Sequence, residues 1–98
     1  MSPPSTFTFC LYVADNTQNS VQARANLAAL CRQYLPDRHE IEVVDVFREP
    51  QRALADGIFM TPTLIKLTPS PVCRIVGNLS DWPTVLNALG LERKPLVA

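Results

Sequence analysis

The fold of this chain is decided by the stretch Met60-Thr61-Pro62-Thr63-Leu64-Ile65-Lys66-Leu67. In it, a Thr-Pro-Thr step enters an apolar run of residues that favour β-strands, which predicts a proline turn followed by a strand. A cis Thr61–Pro62 bond would make this turn a deliberate structural feature, because cis peptide bonds are rare outside such turns. The stretch therefore predicts both where a strand begins and how the chain enters it.

The turn after the first predicted strand indicates whether the chain has the redox chemistry that often accompanies such a proline turn. This turn, Ala14-Asp15-Asn16-Thr17-Gln18-Asn19-Ser20, contains no cysteine. The proline turn at Pro62 is similar to the one found in thioredoxin-like folds. Redox enzymes with that fold carry Cys-x-x-Cys where the first strand passes into the first helix. A scaffold signal without the cysteine pair favours a binding protein over an oxidoreductase.

Hydrophobic periodicity along the chain predicts the element order β-α-β-α-β-β-α. The first strand starts by alternating and then becomes continuously apolar, which is typical of a central strand covered on both faces. Apolar residues at three- and four-residue spacing predict the first helix from Val21 until Pro36 ends it. The predicted strands are residues 6–13, 41–47, 63–67 and 72–76, and the two later helices are residues 51–56 and 81–89.

This order predicts an α/β thioredoxin-like fold, in which a mixed sheet carries helices on both faces. Two strands around the first helix predict a parallel βαβ unit. A chain of 98 residues makes one domain, residues 1–98, and the tails 1–5 and 92–98 are expected to be loosely ordered. Ser80 is predicted to cap the last helix and Asp15 the first. Trp82 is predicted to pack the last helix on the sheet rather than to face a partner.

Composition excludes several classes of function. Nine basic and nine acidic side chains leave the chain without net charge, so no global field attracts nucleic acid or an anionic membrane. No apolar run approaches the ~20 residues that a membrane-spanning helix needs. The N-terminus lacks a basic region followed by an apolar one, so no signal peptide is expected. These features predict a cytoplasmic location, where cysteines stay reduced.

Candidates for catalysis or metal binding are few. Cys10, Cys31 and Cys73 are too far apart for zinc or redox spacing, and the first two fall in apolar patterns typical of buried residues. Cys73 precedes Arg74, and one neighbouring cation is weak activation for a thiol. The only histidine, His39, lies in a polar segment and is predicted to be a solvated loop residue. The sequence therefore predicts no enzyme activity and neither a metal nor a cofactor site.

Several motifs in this chain resemble those of the circadian clock protein KaiB family, in the same order and spacing. The matching segments are Leu11-Tyr12-Val13-Ala14, Asn16-Thr17, Asn19-Ser20, Val44-Asp45-Val46, Pro50-Gln51, Thr61-Pro62-Thr63-Leu64-Ile65-Lys66, Pro71-Val72, Arg74-Ile75, Gly77 and Leu79-Ser80-Asp81. They extend over nearly the whole predicted domain.

The resemblance implies a regulatory protein that is not an enzyme and that has two folds. One fold is a tetramer with a βαββααβ arrangement, so self-association to a dimer or tetramer is implied for that state. The other is a monomer with the thioredoxin-like order. That monomer binds the N-terminal lobe of a KaiC-type hexameric ATPase and autokinase ring, and it sequesters KaiA where KaiA exists.

The resemblance also implies two sets of functional residues, carried over by position. The set for fold switching is Pro62, Pro69 and Pro71. The set for partner binding is Asn16, Thr17, Asn19, Glu42, Lys66 and Arg74.

The chain departs from the family pattern at several positions. Asp15 stands where the family usually has glycine, and Gln18 where it usually has proline. Typical clock members carry basic residues at the positions of Gln22, Glu42, Gly57 and Cys73. Since fewer cations weaken docking to an acidic partner surface, a divergent KaiC homologue is the favoured partner.

Two other functions stay open at this point. A stress-related KaiB homologue that acts without an oscillator would differ in its partner and not in its fold. A thioredoxin-like thiol-binding module is disfavoured because no cysteine lies between Val13 and Val21. Family members often have glycines in the stretch that corresponds to residues 85–91, where this chain has Leu86-Asn87-Ala88-Leu89 before a single Gly90. Alanine is favoured over glycine in a helix by ~1 kcal/mol, which predicts that this chain populates the monomeric thioredoxin-like state more than clock KaiB proteins do.

Overall fold

The computed structural model describes residues 6–91. The two predicted tails, 1–5 and 92–98, lie outside the described residues. Within that range the chain forms four strands and three helices in the predicted order. The strands are β1 Phe7–Val13, β2 His39–Asp45, β3 Thr63–Thr68 and β4 Cys73–Val76, and the helices are α1 Gln18–Tyr34, α2 Pro50–Ala55 and α3 Trp82–Leu89.

The strands form a mixed sheet in the order β2-β1-β3-β4. β1 is parallel to β2, from Phe7 opposite His39 to Val13 opposite Asp45. β3 is antiparallel to both β1 and β4. The predicted α/β class, the parallel βαβ unit and the thioredoxin-like element order are confirmed.

Successive side chains of β1 point to opposite faces of the sheet, and both faces are covered. One face packs against α1 and α3 and is called the closed face; it takes the β1 residues Phe7, Phe9, Leu11 and Val13. The other face, called the α2 face, takes Cys10 and Tyr12, which pack with Ala53 of α2. This two-sided burial explains why β1 is almost continuously apolar.

The predicted apolar stripe of α1 is confirmed, but the helix begins three residues earlier than predicted. Ala23, Leu27, Leu30 and Cys31 are buried on the closed face. Residues 18–20, which were expected to be part of a turn, form the first helical residues. Among the described residues, no helix has the length and apolar character that crossing a membrane requires.

The start of α1 is held by Ser20 and not by Asp15. The buried Ser20 hydroxyl accepts hydrogen bonds from the Ala14 backbone N–H, at 3.0 Å, and from the Thr17 hydroxyl, at 2.8 Å. Thr17 is the N-cap residue, and its side chain makes no capping bond. Asp15 is exposed with a φ of 50°. The prediction of Asp15 as the cap is wrong because a hydroxyl inside the helix already organises the turn.

The predicted cap of α3 is also wrong by one residue. Asp81, and not Ser80, is the N-cap: its carboxylate accepts from the Thr84 backbone N–H at 3.4 Å and from the Thr84 hydroxyl at 2.8 Å. Gly90 ends the helix in the left-handed conformation, with a φ of 76°. The Trp82 ring packs edge-on against Tyr34, with ring centroids 6.3 Å apart. Trp82 is half-buried against the closed-face core, and the ring contact described for it is with α1 and not with a strand.

β2 begins and ends two residues before its predicted bounds. It pairs with β1 along its whole length, so the last β1 residue, Val13, sets its end at Asp45. The Asp45 carboxylate then accepts a hydrogen bond from the Phe47 backbone N–H at 2.8 Å, which makes a turn where strand was predicted. His39 is not a solvated loop residue: it is the first, half-buried residue of β2, with Nδ1 2.7 Å from the Leu35 carbonyl oxygen.

Candidate functional site

The α2 face carries little apolar packing from its helix. α2 has six residues, and only Ala53 among them is buried. The core beneath it is small and consists of Cys10, Tyr12, Val44, Ala53 and Ile65, with Val46 and Ile58 at its edge. A helix of this length is not stable by itself, so other contacts must hold it on the sheet.

Polar contacts from three strands hold α2 in place, and we call this set the polar brace. From β1, the buried Tyr12 hydroxyl donates a short hydrogen bond to the Asp56 carboxylate. From β4, the Arg74 guanidinium donates to the carbonyl oxygens of Asp56 and, at 3.2 Å, Gly57. From β2, Glu42 accepts two bonds from Arg52, at 2.7 and 2.9 Å. The brace therefore fixes both the helix and the segment that follows it.

Electrostatics on this face follow from the same contacts. The hydrogen bonds from Arg52 hold the pKa of Glu42 below its ordinary value, although Glu42 is exposed. Glu49 adds a longer contact to Arg52, at 3.3 Å. Burial, and then the bond to Asp56, raises the pKa of Tyr12, and burial raises the pKa of Cys10. Both groups stay protonated at neutral pH, so Tyr12 acts as a fixed donor.

The structure brings Glu42 and Arg74 to the same face of the sheet, at opposite edges of it. Glu42 lies beside Cys10 in register, and Arg74 lies beside Ile65, so both side chains share the α2 face. Each of them contacts α2 or its C-terminal end. Two of the predicted binding residues therefore frame one surface, with α2 between them.

Asn16, Thr17 and Asn19 lie at the turn from β1 into α1, and all three are exposed. Asn16 lines a polar cavity of about 410 Å³ at the carboxyl ends of β1 and β2, together with Asp45 and Arg48. Ligands of open α/β sheets bind outside the carboxyl ends of the strands. Glu49, the N-cap residue of α2, also lines this cavity, so the turn and the start of α2 are neighbours there.

Lys66 is separated from the other predicted binding residues. It lies on the closed face of β3, two residues after the buried Leu64, and is only 4% exposed. Its ammonium group sits 5.7 Å from the centroid of the Phe7 ring, in a cation–π arrangement. Lys66 therefore offers a partner very little surface in this fold.

The three prolines predicted for fold switching do not form one cluster. Pro62 is buried immediately before β3, and its carbonyl oxygen accepts from the Gly77 backbone N–H at 2.9 Å. Pro69 and Pro71 lie after β3, in the connection to β4. The peptide bonds before all three are cis. The length of β3, about 20 Å at the usual rise per residue, separates Pro62 from the other two.

The cysteines lie away from the turn at which thioredoxin-like enzymes carry their redox pair. Cys10 and Cys31 are buried and Cys73 is half-buried, and all three are free. Burial raises the pKa of Cys31 to about 11. In residues 6–91, no group of three His, Cys, Asp or Glu side chains is placed to hold a metal ion.

Sequence reasoning missed the residues that make the α2 face a built surface. Tyr12, Arg52 and Asp56 were not identified, because their contacts join residues up to 44 positions apart and depend on sheet register. It also missed Phe59 and Met60, which are exposed beside Pro62. Their apolar character, between Gly57 and the proline turn, was visible in the sequence, but their exposure was not.

The KaiB domain family model matches residues 10–91. The chain is 45% identical over 91 residues to the circadian clock oscillator protein KaiB of Synechococcus elongatus, covering 93% of this chain and 89% of the relative. It is 44% identical over 85 residues to the circadian clock protein KaiB3 of Synechocystis sp., covering 87% and 81%.

Solved structures with the same fold include the N-terminal domain of Synechococcus elongatus SasA, with a TM-score of 0.72 and 17% identity over 96% of this chain and 92% of that one. The Drosophila melanogaster thioredoxin Deadhead gives a TM-score of 0.70 and 14% identity over 88% and 80%. At such low identity these similarities show the thioredoxin-like fold alone. The family model and the clock relatives cover most of the sequence, and on that basis the chain belongs to the KaiB family of circadian clock proteins.

Proposed function

We propose that this protein is a non-enzymatic regulator that binds a KaiC-type hexameric ATPase and autokinase ring. Binding modulates the phosphorylation or ATPase cycle of the ring. The observation that carries the proposal is the extent of the family match, since residues 10–91 include the whole α2 face and its relatives are circadian clock proteins. KaiA, where the host has it, is a further partner, and the proposed location is the cytoplasm.

The geometry of the α2 face supports binding rather than chemistry. The polar brace fixes α2 and the following segment before any partner arrives. A surface that is already ordered loses less conformational entropy on association, and this favours affinity. The exposed turn at Asn16 and the exposed Glu49 at the start of α2 line the same cavity at the carboxyl ends of β1 and β2. These residues form a continuous candidate docking region.

The experiment is a binding assay with purified KaiC-type rings from the native host. The full chain, tagged at one end, is incubated with each ring in the presence of ATP, and complexes are separated by size-exclusion chromatography with light scattering. We expect co-elution with at least one ring and a changed rate of ATP hydrolysis or phosphorylation. Absence of both co-elution and rate change for every ring in the host would contradict the proposal.

The second candidate is a stress-related KaiB homologue that acts without an oscillator. The acidic Glu42 favours it, because the resemblance places a basic residue at that position in clock members and the structure commits Glu42 to an ion pair with Arg52. A pull-down from the native host separates the two candidates. Recovery of a KaiC-type ring supports the clock regulator, and recovery of other proteins only supports the second candidate.

A further inference from the structure

The segment after α2 exposes two large apolar side chains next to each other. Phe59 is 91% exposed and Met60 is 63% exposed. Single exposed apolar residues are common, but a nearly fully exposed phenylalanine beside an exposed methionine is the composition of a binding surface. Val76 of β4 is also exposed, and it lines one surface cleft together with Phe59 and Met60.

The exposure of Phe59 is not a consequence of a loose backbone. The Gly57 N–H donates to the Leu54 carbonyl at 3.0 Å, and the Ile58 N–H donates to the Ala53 carbonyl at 2.8 Å. On the far side of Phe59, the Thr63 hydroxyl donates to the Met60 carbonyl at 2.6 Å. The segment is therefore fixed on both sides of Phe59.

Phe59, Met60 and Val76 all line one cleft of about 170 Å³. This volume is several times the ~30 Å³ that one water molecule takes in the liquid. The cleft therefore has room for one apolar side chain. Gly57 also lines the cleft, with a φ of 66° that favours glycine. A Cβ placed on it would lie 3.9 Å from both the Phe59 ring and the Arg74 guanidinium, so these two groups flank the glycine.

Among the residues that line this cleft, Arg74 carries the one formal charge. Its guanidinium has five N–H donors, and two described bonds go to backbone carbonyls, so donors are left on the exposed side. A positive group at the rim of an apolar cleft complements a carboxylate placed next to an apolar side chain. Guanidinium groups suit carboxylates because their donors match the two carboxylate oxygens.

We propose that the Phe59–Met60 cleft is a docking site for a segment of a partner protein that presents an apolar side chain beside a carboxylate. The apolar side chain enters between Phe59 and Val76, and the carboxylate binds Arg74. This inference rests on the proposed function only in assigning the surface to a protein partner. The chemistry of the segment follows from the cleft itself.

The first test uses a defined probe. The 15N-labelled full chain is titrated with the peptide acetyl-Glu-Leu-Glu-Leu-Glu-amide and, separately, with the same peptide carrying lysine in place of glutamate. We expect amide shifts at residues 57–60 and 76 with the acidic peptide at millimolar concentration, weakening at high salt. Equal binding of both peptides, or shifts confined to other surfaces, would overturn the proposal.

The second test uses a matched pair of variants. Phe59→Ser removes the anchor, and Phe47→Ser removes a phenylalanine that is 72% exposed before α2 and does not line the cleft. Because both side chains are exposed, neither change is expected to unfold the protein. We expect Phe59→Ser to weaken acidic-peptide binding about tenfold or more, as hot-spot residues do, and Phe47→Ser to leave it unchanged. Equal loss in both variants would count against the cleft.

The same variants separate this inference from the proposed function. If the wild type binds a KaiC-type ring and Phe59→Ser binds it equally well, the function stands and the ring does not use the cleft. Together with absent peptide shifts, that result overturns the inference. If no ring binds but the acidic peptide shifts residues 57–60 in the wild type and not in Phe59→Ser, the cleft stands and the proposed partner is wrong.

Discussion

The two faces of the sheet are built by different means. The closed face buries long aliphatic and aromatic side chains of β1, α1 and α3 against one another. The α2 face buries one alanine from its helix and depends on hydrogen bonds and an ion pair that come from β1, β2 and β4. Large apolar side chains on the α2 side, Leu54, Phe59 and Met60, point to solvent. Buried apolar packing is thus concentrated on the closed face, and large exposed apolar side chains lie on the α2 side.

The free energies of these two kinds of contact also indicate that the closed face is the more stable one. A fully buried leucine contributes about 1.5–3 kcal/mol relative to an exposed one, and the closed face has several, including Leu11, Leu27 and Leu30. A net hydrogen bond contributes about 0.5–1.5 kcal/mol. The free energy of local opening should therefore be lower for α2 than for α1. Three variants test this difference and a fourth tests the choice between folds, in order of decreasing expected effect.

Leu27→Ala should give the largest loss of stability. Leu27 is 1% exposed at the centre of the closed face, and truncation of a buried leucine typically costs about 2–5 kcal/mol through lost burial and a residual cavity. Leu54→Ala is the matched control on the α2 face, since Leu54 is 74% exposed and such changes stay within about 0.5 kcal/mol. Urea unfolding followed by circular dichroism measures both. Similar losses for the two variants would contradict the comparison.

Tyr12→Phe should weaken the α2 face while leaving the closed face intact. The change keeps the buried ring and removes the hydroxyl that donates to Asp56, at an expected cost of about 0.5–1.5 kcal/mol. Hydrogen exchange should accelerate at the Ile58 amide, which bonds to Ala53 across the end of α2, more than at the α1 amides. Tyr34→Phe is the control on the closed face. Uniform acceleration across both faces would show that the brace acts globally.

The fold was predictable wherever a pattern repeats over many residues. The apolar stripe of α1 and the continuous apolar run of β1 were sufficient to predict these two elements, because each pattern follows from which side chains are buried. Boundaries were wrong where tertiary contacts decide them. β2 ends at Asp45 because β1 ends at Val13, and no local property of Val46 or Phe47 marks that point. The cap of α3 fell on Asp81 and not on Ser80, and adjacent residues of equal capping propensity cannot be separated by propensity alone.

The candidate site was predictable only in part, for a similar reason. Glu42 and Arg74 were singled out by resemblance, and the sheet order then placed them on one face. The partners that give them a role, Arg52 and the backbone of Asp56, become neighbours only when β2 and β4 take their places at the edges. Lys66 shows the converse, since its position in β3 turns it towards Phe7 on the closed face.

Ala88→Gly should cost at most about 1 kcal/mol, the usual cost of glycine inside a helix, because Ala88 lies one residue before the end of α3. Ala88 is exposed on α3, so no packing is lost with the methyl group. If the alternative βαββααβ state is accessible, the change shifts the chain towards it and raises the tetramer fraction in size-exclusion chromatography. Ala25→Gly, an exposed alanine in α1, controls for helix propensity alone. A wild-type protein that is entirely tetrameric at micromolar concentration would contradict the prediction that this chain favours the monomer more than clock KaiB proteins do.

Glu42→Gln should have the smallest effect, and that effect should depend on pH. Arg52 holds the pKa of Glu42 below its ordinary value, about 4.3 in an unfolded chain. A depressed folded-state pKa means that the stabilisation is fully present above the ordinary pKa and is lost as pH falls through the depressed value. The wild type should therefore exceed Glu42→Gln in urea midpoint at pH 7, and the difference should shrink below pH ~4.

High salt should reduce the same difference at pH 7, because the pair is exposed to solvent. Glu40→Gln, which removes the same charge from an exposed position two residues earlier on β2, is the control for net charge. A difference specific to Glu42 that persists unchanged at low pH would mean that side-chain packing, rather than the ion pair, joins β2 to α2. The other outcome is that the difference in urea midpoint disappears at low pH and that amide hydrogen exchange accelerates only in α2. That result would identify the Glu42–Arg52 pair as the weakest contact of the polar brace.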